Sequence, residues 1–195
     1  MRILAFDQSV TASAAVVLES VDSNRITPVA YLACKPKNTG IYRYLELKAW
    51  IEKVIKEKGC DLIAREMHHQ MQHGAASQIQ VVGGFIDIAA ASHLPGDWYT
   101  IIPVTVWKKF LTGKGNLAKD TAYLMTLYKS LRSTPMFVPP ATLEQTDDNI
   151  ADALCIGITA YAAKRARDGN FDGITKDQAA VLKKNLDLMF DYGKK

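Results

Sequence analysis

The run "RILAFDQSVTASAAVVLES", Arg2 to Ser20, decides the fold. Its first part, "RILAFDQ", is a short apolar run closing on an acid, Asp7, and "TASAAVVLES" is a second apolar run. A third, "ITPVAYLACK", follows across "VDSNR", a polar cluster that suits a hairpin turn. Runs this short, bounded by turn residues, read as three antiparallel strands. Working outward, "IYRYLELKAWIEKVIKEKG" spaces Leu45, Leu47, Trp50, Ile51, Val54 and Ile55 between charges and stops at Gly59, which predicts an amphipathic helix. "CDLIARE" predicts a fourth strand, again ending on an acid, Glu66.

A small-residue helix, "AASQIQVVGGFIDIAAASH", carries the pair Gly83-Gly84, and "WYTIIPV" predicts a fifth strand. Two helices come next: "TVWKKFLTG", opened by Thr105 or Val104, and "NLAKDTAYLMTLYKSLR", with Asn116 as its expected N-cap. A Pro-rich connector leads into a helix with an acidic start and an apolar body, and a last amphipathic helix is expected from Thr175 to Tyr192. The element order predicts an α/β fold. A mixed five-stranded sheet, three antiparallel strands then two parallel, should carry helices on both faces. At 195 residues and 48% apolar content, one domain over 1–195 is expected, with 175–192 as a C-terminal helical extension.

No run reaches the roughly 20 apolar residues that span a bilayer, and the start, "MRILAFDQSV", is broken by Asp7 and reads as a strand, not a signal peptide. Cys34, Cys60 and Cys155 are far apart, lie in apolar contexts and lack metal-ligand spacing, which suits reduced core residues in a cytoplasmic protein. The net charge of +4 says little alone. Its distribution says more: Lys108, Lys109, Lys114, Lys119, Lys129 and Arg132 face one acid, Asp120, between Val104 and Arg132. That segment is a candidate phosphate-binding surface, weighed against a plain solvated helix face.

Asp7 and Glu66 end strands, and Asp152 lies on an apolar helix past its cap. Buried carboxylates cost several kcal/mol unless paired or metal-bound. Taken singly, Asp7 could be a turn residue, Glu66 a partner of Arg65, and Asp147 or Asp148 an N-cap. Jointly, acids converging from strands one and four and the late helix would repel one another. A divalent cation resolves this, and Mg²⁺ or Mn²⁺ suits all-oxygen ligands. Two such ions about 4 Å apart are a recurring device for phosphodiester hydrolysis.

In order and spacing, "ILAFDQSVTASAAVVL", "LIAREM", "VWKKFLTGKGNLAKD" and "DNIADALCIGITA" resemble the four motif blocks of the RuvC family of Holliday-junction resolvases, from about Arg2 to Ala163. The resemblance implies a ribonuclease H-like fold and a Mg²⁺-dependent endonuclease cutting four-way DNA junctions by paired symmetric nicks. Mn²⁺ should substitute, with two ions per site. It implies Asp7, Glu66 and Asp152 as metal-binding catalytic acids. Lys108 and Lys119, eleven apart around "TGKG", would hold phosphates and offset charge in the transition state. The family's fourth ligand falls on Asn149. Asp148, one residue earlier and on the same helix face as Asp152, is the expected ligand, with Asn149 as the alternative and Asp147 as a cap or outer group. A glycine common after the first acid is replaced here by "DQSVTAS".

DNA contacts are expected from Lys108, Lys109, Lys114, Lys119, His68 and His69. His68, His69 and His73 cluster past Glu66 but lack the further ligands of a zinc site. Two cuts need two sites, so a homodimer is implied, with the helix from Ala75 to Ala91 as its candidate interface. A phage or mobile-element source, and so a bacterial or infected-host cytoplasm, fits the departures from the family pattern. Two alternatives stand beside this reading: another ribonuclease H-like nuclease acting on hybrids or DNA ends, and a non-catalytic nucleic-acid-binding protein of the same fold.

Overall fold

The structure, a computed structural model, describes residues 1–67, 75–93 and 99–190. Five strands, β1 (Arg2–Asp7), β2 (Ser13–Ser20), β3 (Ile26–Cys34), β4 (Leu62–Met67) and β5 (Tyr99–Pro103), form one sheet in the order β3-β2-β1-β4-β5. The pairs β1–β2 and β2–β3 are antiparallel, whereas β1–β4 and β4–β5 are parallel. The expected three-plus-two pattern is present, and strands one and four are neighbours.

Strand alternation sorts the apolar residues between two cores. Leu4, Phe6 and Ile63 face the helices α1 (Gly40–Lys58) and α2 (Ala75–His93). Ile3, Ala5, Leu62 and Ala64 face α5 (Asp148–Arg167). By the same period of two, Asp7 and Glu66 fall on the α5 side and Arg65 on the α2 side. That parity is why Glu66 does not pair with Arg65. Arg65 instead donates from Nε to Asp87 of α2 at 2.6 Å and to the Tyr99 hydroxyl oxygen, also at 2.6 Å.

Helix α5 is buried without interruption from Ile150 to Ala163. It lies on β1, β2 and β4 and is covered by α3 (Val104–Thr112), α4 (Tyr123–Arg132) and α6 (Lys176–Phe190). A helix enclosed on every side has no use for a polar stripe, which explains its composition. Gly157 sets how closely it sits. A Cβ there would lie 2.2 Å from Leu18 Cδ1 and 2.9 Å from the Ala5 Cβ. Helix α6 seals the far side: Leu182, Met189 and Phe190 are buried, and its Met189 carbonyl accepts from Thr100 Oγ1 at 2.9 Å.

The largest departure from expectation is α4, which begins at Tyr123 and not near Asn116. The Asp120 carboxylate accepts the Ala122 N–H at 2.9 Å and its carbonyl accepts the Tyr123 N–H at 3.1 Å. This local turn competes with the helix and holds 116–122 outside it. The Pro-rich connector is also less free than its composition suggests. Ile26 donates to the Met136 carbonyl at 2.8 Å and accepts from Val138 at 2.9 Å, so the connector lies along the edge of β3. Among the described residues no helix is long and apolar enough to cross a membrane. His68, His69 and His73 lie outside the described residues.

Candidate active site

The register pairs Phe6 of β1 with Arg65 of β4, so Asp7 and Glu66 stand one residue beyond, at adjoining parallel strand ends. Both are buried, at 7% exposure each. Asp152 arrives from α5, one turn after Asp148, and is 3% exposed. Asp147 is the N-cap, its side chain accepting from the Ile150 N–H at 2.9 Å. With the cap fixed there, Asp148 and Asp152 share a face by their four-residue spacing.

Glu66 and Asp152 each have a donor of their own. Trp107 Nε1 donates to Glu66 Oε1 at 2.9 Å. The Tyr123 hydroxyl donates to Asp152 Oδ1 at 2.5 Å. Lys119 Nζ lies 2.7 Å from Asp152 Oδ2 and 3.6 Å from Asp148 Oδ2. The Glu66 carbonyl is held by Gln8 Nε2 at 2.6 Å and by Arg65 Nη1 at 2.9 Å. Gln8 is itself buried, and its Oε1 has no partner among the described residues.

The charges report one another. Burial, then the charges of Glu66 and Asp152, hold the Asp7 carboxyl well above its ordinary range, with Lys119 opposing and Asp148 adding to the rise. Burial also raises Asp152, against the lowering effect of Lys119 and Tyr123. Burial works against the Lys119 charge, but Asp152, Asp7 and Asp148 outweigh it, and its pKa is raised. The Tyr123 hydroxyl is pushed up by burial and by Asp152, so it stays a proton donor. The four expected acids therefore influence one another through Asp7, and Lys119 offsets the charge of Asp152, Asp7 and Asp148.

Lys108 does not touch the acids. Its ammonium donates to the Leu117 carbonyl at 2.9 Å and lies over the Trp107 and Tyr123 rings at 5.4 and 5.5 Å. Lys109 and Lys114 are exposed beside it. Gly113 ends α3 in the left-handed region, φ 75°, and a Cβ on Gly115 would crowd the Thr105 carbonyl at 3.3 Å. On α2, Gly83 makes room for the Arg65 guanidinium, 3.3 Å from where its Cβ would be, whereas Gly84 meets nothing within 4 Å.

Among the described residues, no three His, Cys, Asp or Glu side chains stand as a set ready to hold a metal ion. The donor chemistry nonetheless fits a hard divalent cation: the buried Asp7 carboxylate is destabilised as an anion by three other acids, Glu66, Asp152 and Asp148. Sequence reasoning missed Trp107, Tyr123 and Gln8. Both aromatics fall within helix-forming segments, and nothing in a single chain marks an indole as a carboxylate donor. Gln8, next to the first acid, was the one available signal.

The fold and the site together define a class: a ribonuclease H-like α/β domain with an acid cluster where β1, β4 and α5 converge. No sequence match is found among protein-family models or among curated proteins. Solved structures do match, Holliday junction resolvases among them. RuvC of Thermus thermophilus in complex with Holliday junction substrate is similar at TM-score 0.63 and 19% identity, over 87% of this chain and 96% of that one. A second Thermus thermophilus RuvC structure gives 0.62 and 20%, over 87% and 97%. The fowlpox virus Holliday junction resolvase gives 0.52 and 12%, over 84% and 99%. At these identities the likeness speaks to the fold, which is ribonuclease H-like.

Proposed function

We propose that this chain is a divalent-metal-dependent endonuclease that resolves four-way DNA junctions. What supports the reading is the influence of Glu66, Asp152 and Asp148 on the buried Asp7, with Lys119 paired to Asp152 and Asp148, on a fold shared with a RuvC bound to junction substrate. Asp7, Glu66, Asp148 and Asp152 would hold Mg²⁺, with Mn²⁺ able to substitute and two ions per site. Bound there, the metal would supply Lewis-acid activation of water and stabilisation of the leaving oxygen.

The chain's own groups do the rest. Trp107 and Tyr123 fix the rotamers of Glu66 and Asp152, so the acids are oriented before substrate arrives. Lys119 lies where it can take a phosphate oxygen and offset charge on the reacting phosphorus. Lys108, Lys109 and Lys114 extend a positive surface from the same end of α3, suited to the DNA backbone and blind to base identity. Paired nicks require two sites, so the active form would be a homodimer. Val81 and Ile88, exposed at 46% and 63% on α2 beside the open Gly84, supply an apolar strip for that contact.

The test is cleavage of three substrates in Mg²⁺: a four-way junction, a linear duplex and an RNA/DNA hybrid. The reading expects symmetric nicks in the junction and little cutting of the others. Equal cutting of linear duplex, or preference for the hybrid, would overturn it in favour of another ribonuclease H-like nuclease.

A further inference from the structure

Two acids of this site, Asp152 and Asp148, are paired from within. Lys119 Nζ sits at 2.7 Å from one Asp152 oxygen, the Tyr123 hydroxyl holds the other, and Asp148 is also within ion-pair reach of the lysine. The other lysine of the pair does not share this task, since Lys108 is bound to the Leu117 carbonyl. Three facts make Lys119 a counter-ion that can leave. Its backbone stands in the segment between α3 and α4, where no helix fixes it. Its side chain is 48% exposed, whereas that of Asp152 is 4% exposed. And a lysine is a point charge on a flexible stem, able to exchange a carboxylate for a phosphate without a fixed approach angle.

A divalent ion and this ammonium need the same Asp152 oxygen. Both cannot lie at bonding distance from it without strong mutual repulsion, least of all at a buried carboxylate. Resting on the metal-dependent nuclease reading above, we propose that Lys119 is a substrate-released counter-ion. It holds Asp152 and Asp148 while no nucleic acid is bound, and it yields them to a divalent ion when a phosphodiester draws its ammonium away. Nucleic-acid binding and metal binding are then coupled, and by linkage each strengthens the other to the same degree. Tyr123 stays on Asp152 Oδ1 throughout, so the carboxylate keeps its orientation while its second oxygen changes partner.

The experiment titrates Mn²⁺ by calorimetry into the full chain without DNA, comparing wild type with Lys119→Met and Lys119→Gln. Lys184→Met, on α6, controls for loss of one positive charge, and Asp152→Asn for the site. Both Lys119 variants are expected to bind Mn²⁺ about tenfold tighter than wild type or more, the scale on which one adjacent charge shifts a carboxylate equilibrium. Lys184→Met should match wild type, and Asp152→Asn should lose the ion. Adding a four-way junction with hydrolysis-resistant phosphorothioate linkages should tighten Mn²⁺ binding by wild type and leave Lys119→Met nearly unchanged. Melting curves give a second reading, with a larger Mn²⁺-induced rise for Lys119→Met. Equal or weaker Mn²⁺ binding by both Lys119 variants, with Asp152→Asn still deficient, overturns the counter-ion role and leaves the nuclease reading standing. No Mn²⁺ binding by wild type or Lys119→Met overturns both.

Discussion

Asp7 carries the site's electrostatic tension. Burial and the charges of Glu66 and Asp152 keep its carboxyl well above 3.8, so the folded protein retains a proton that the unfolded chain gives up. Stability from this group is therefore greatest at acid pH and declines as pH rises from the ordinary carboxylate range through the raised value. An Asp7→Asn chain lacks that decline. In EDTA it should melt above wild type around neutral pH, with the gap closing toward about pH 4; a lower or equal melting temperature near neutrality would refute the assignment. Trp107 is tested differently. Trp107→Phe removes the indole hydrogen bond to Glu66 Oε1, which should cost about 1–3 kcal/mol in urea unfolding and lower cleavage further by loosening the carboxylate's orientation. The three acids were legible in sequence because each closes or interrupts an apolar run. Their donors were not, because hydrogen-bond partnership between Trp107 and Glu66 depends on packing across 41 positions.

At the scale of elements, α5 positions the chemistry by lying close on β1 and β2, and Gly157 permits it. A Gly157→Ala chain gains up to about 1 kcal/mol of helix propensity but must displace Leu18 and Ala5, an overpacking cost of about 1–3 kcal/mol. Net destabilisation is expected in denaturant titration, and Leu18→Ala in the same chain should relieve part of it. No relief would mean that the close approach is not what the glycine serves. The strands were readable from the short apolar runs of Arg2–Ser20 and those that follow, but their parity was not, because strands buried on both faces show no alternation. The start of α4 was not. Apolar spacing continues back to Leu117, but Asp120 folds its own turn and stops the helix at Tyr123. That interruption is what frees Lys119 to reach the acids, so the misread boundary lies at a residue the site uses.

For the whole molecule, α6 closes the core on the side of β5 and α3, burying Leu182, Met189 and Phe190. Composition alone left open whether that helix covered this chain or another, since its apolar residues are few and its charges many. Ending the chain before Lys176 should therefore expose the α3–α5 core and abolish cooperative unfolding, as followed by near-ultraviolet circular dichroism; an unchanged transition would show that α6 is dispensable. Under the proposed function, the carboxylates of Asp7, Glu66, Asp148 and Asp152, and not the fold alone, cut the junction. The most direct measurement compares wild type, Asp7→Asn and Asp152→Asn on a four-way DNA junction, scoring binding and Mg²⁺-dependent strand cleavage in the same samples. The account predicts that all three bind the junction, that wild type nicks it and stops on addition of EDTA, and that both variants lose cleavage by about 10³-fold or more, as removal of essential catalytic groups does. Cleavage by either variant at the wild-type rate would contradict it.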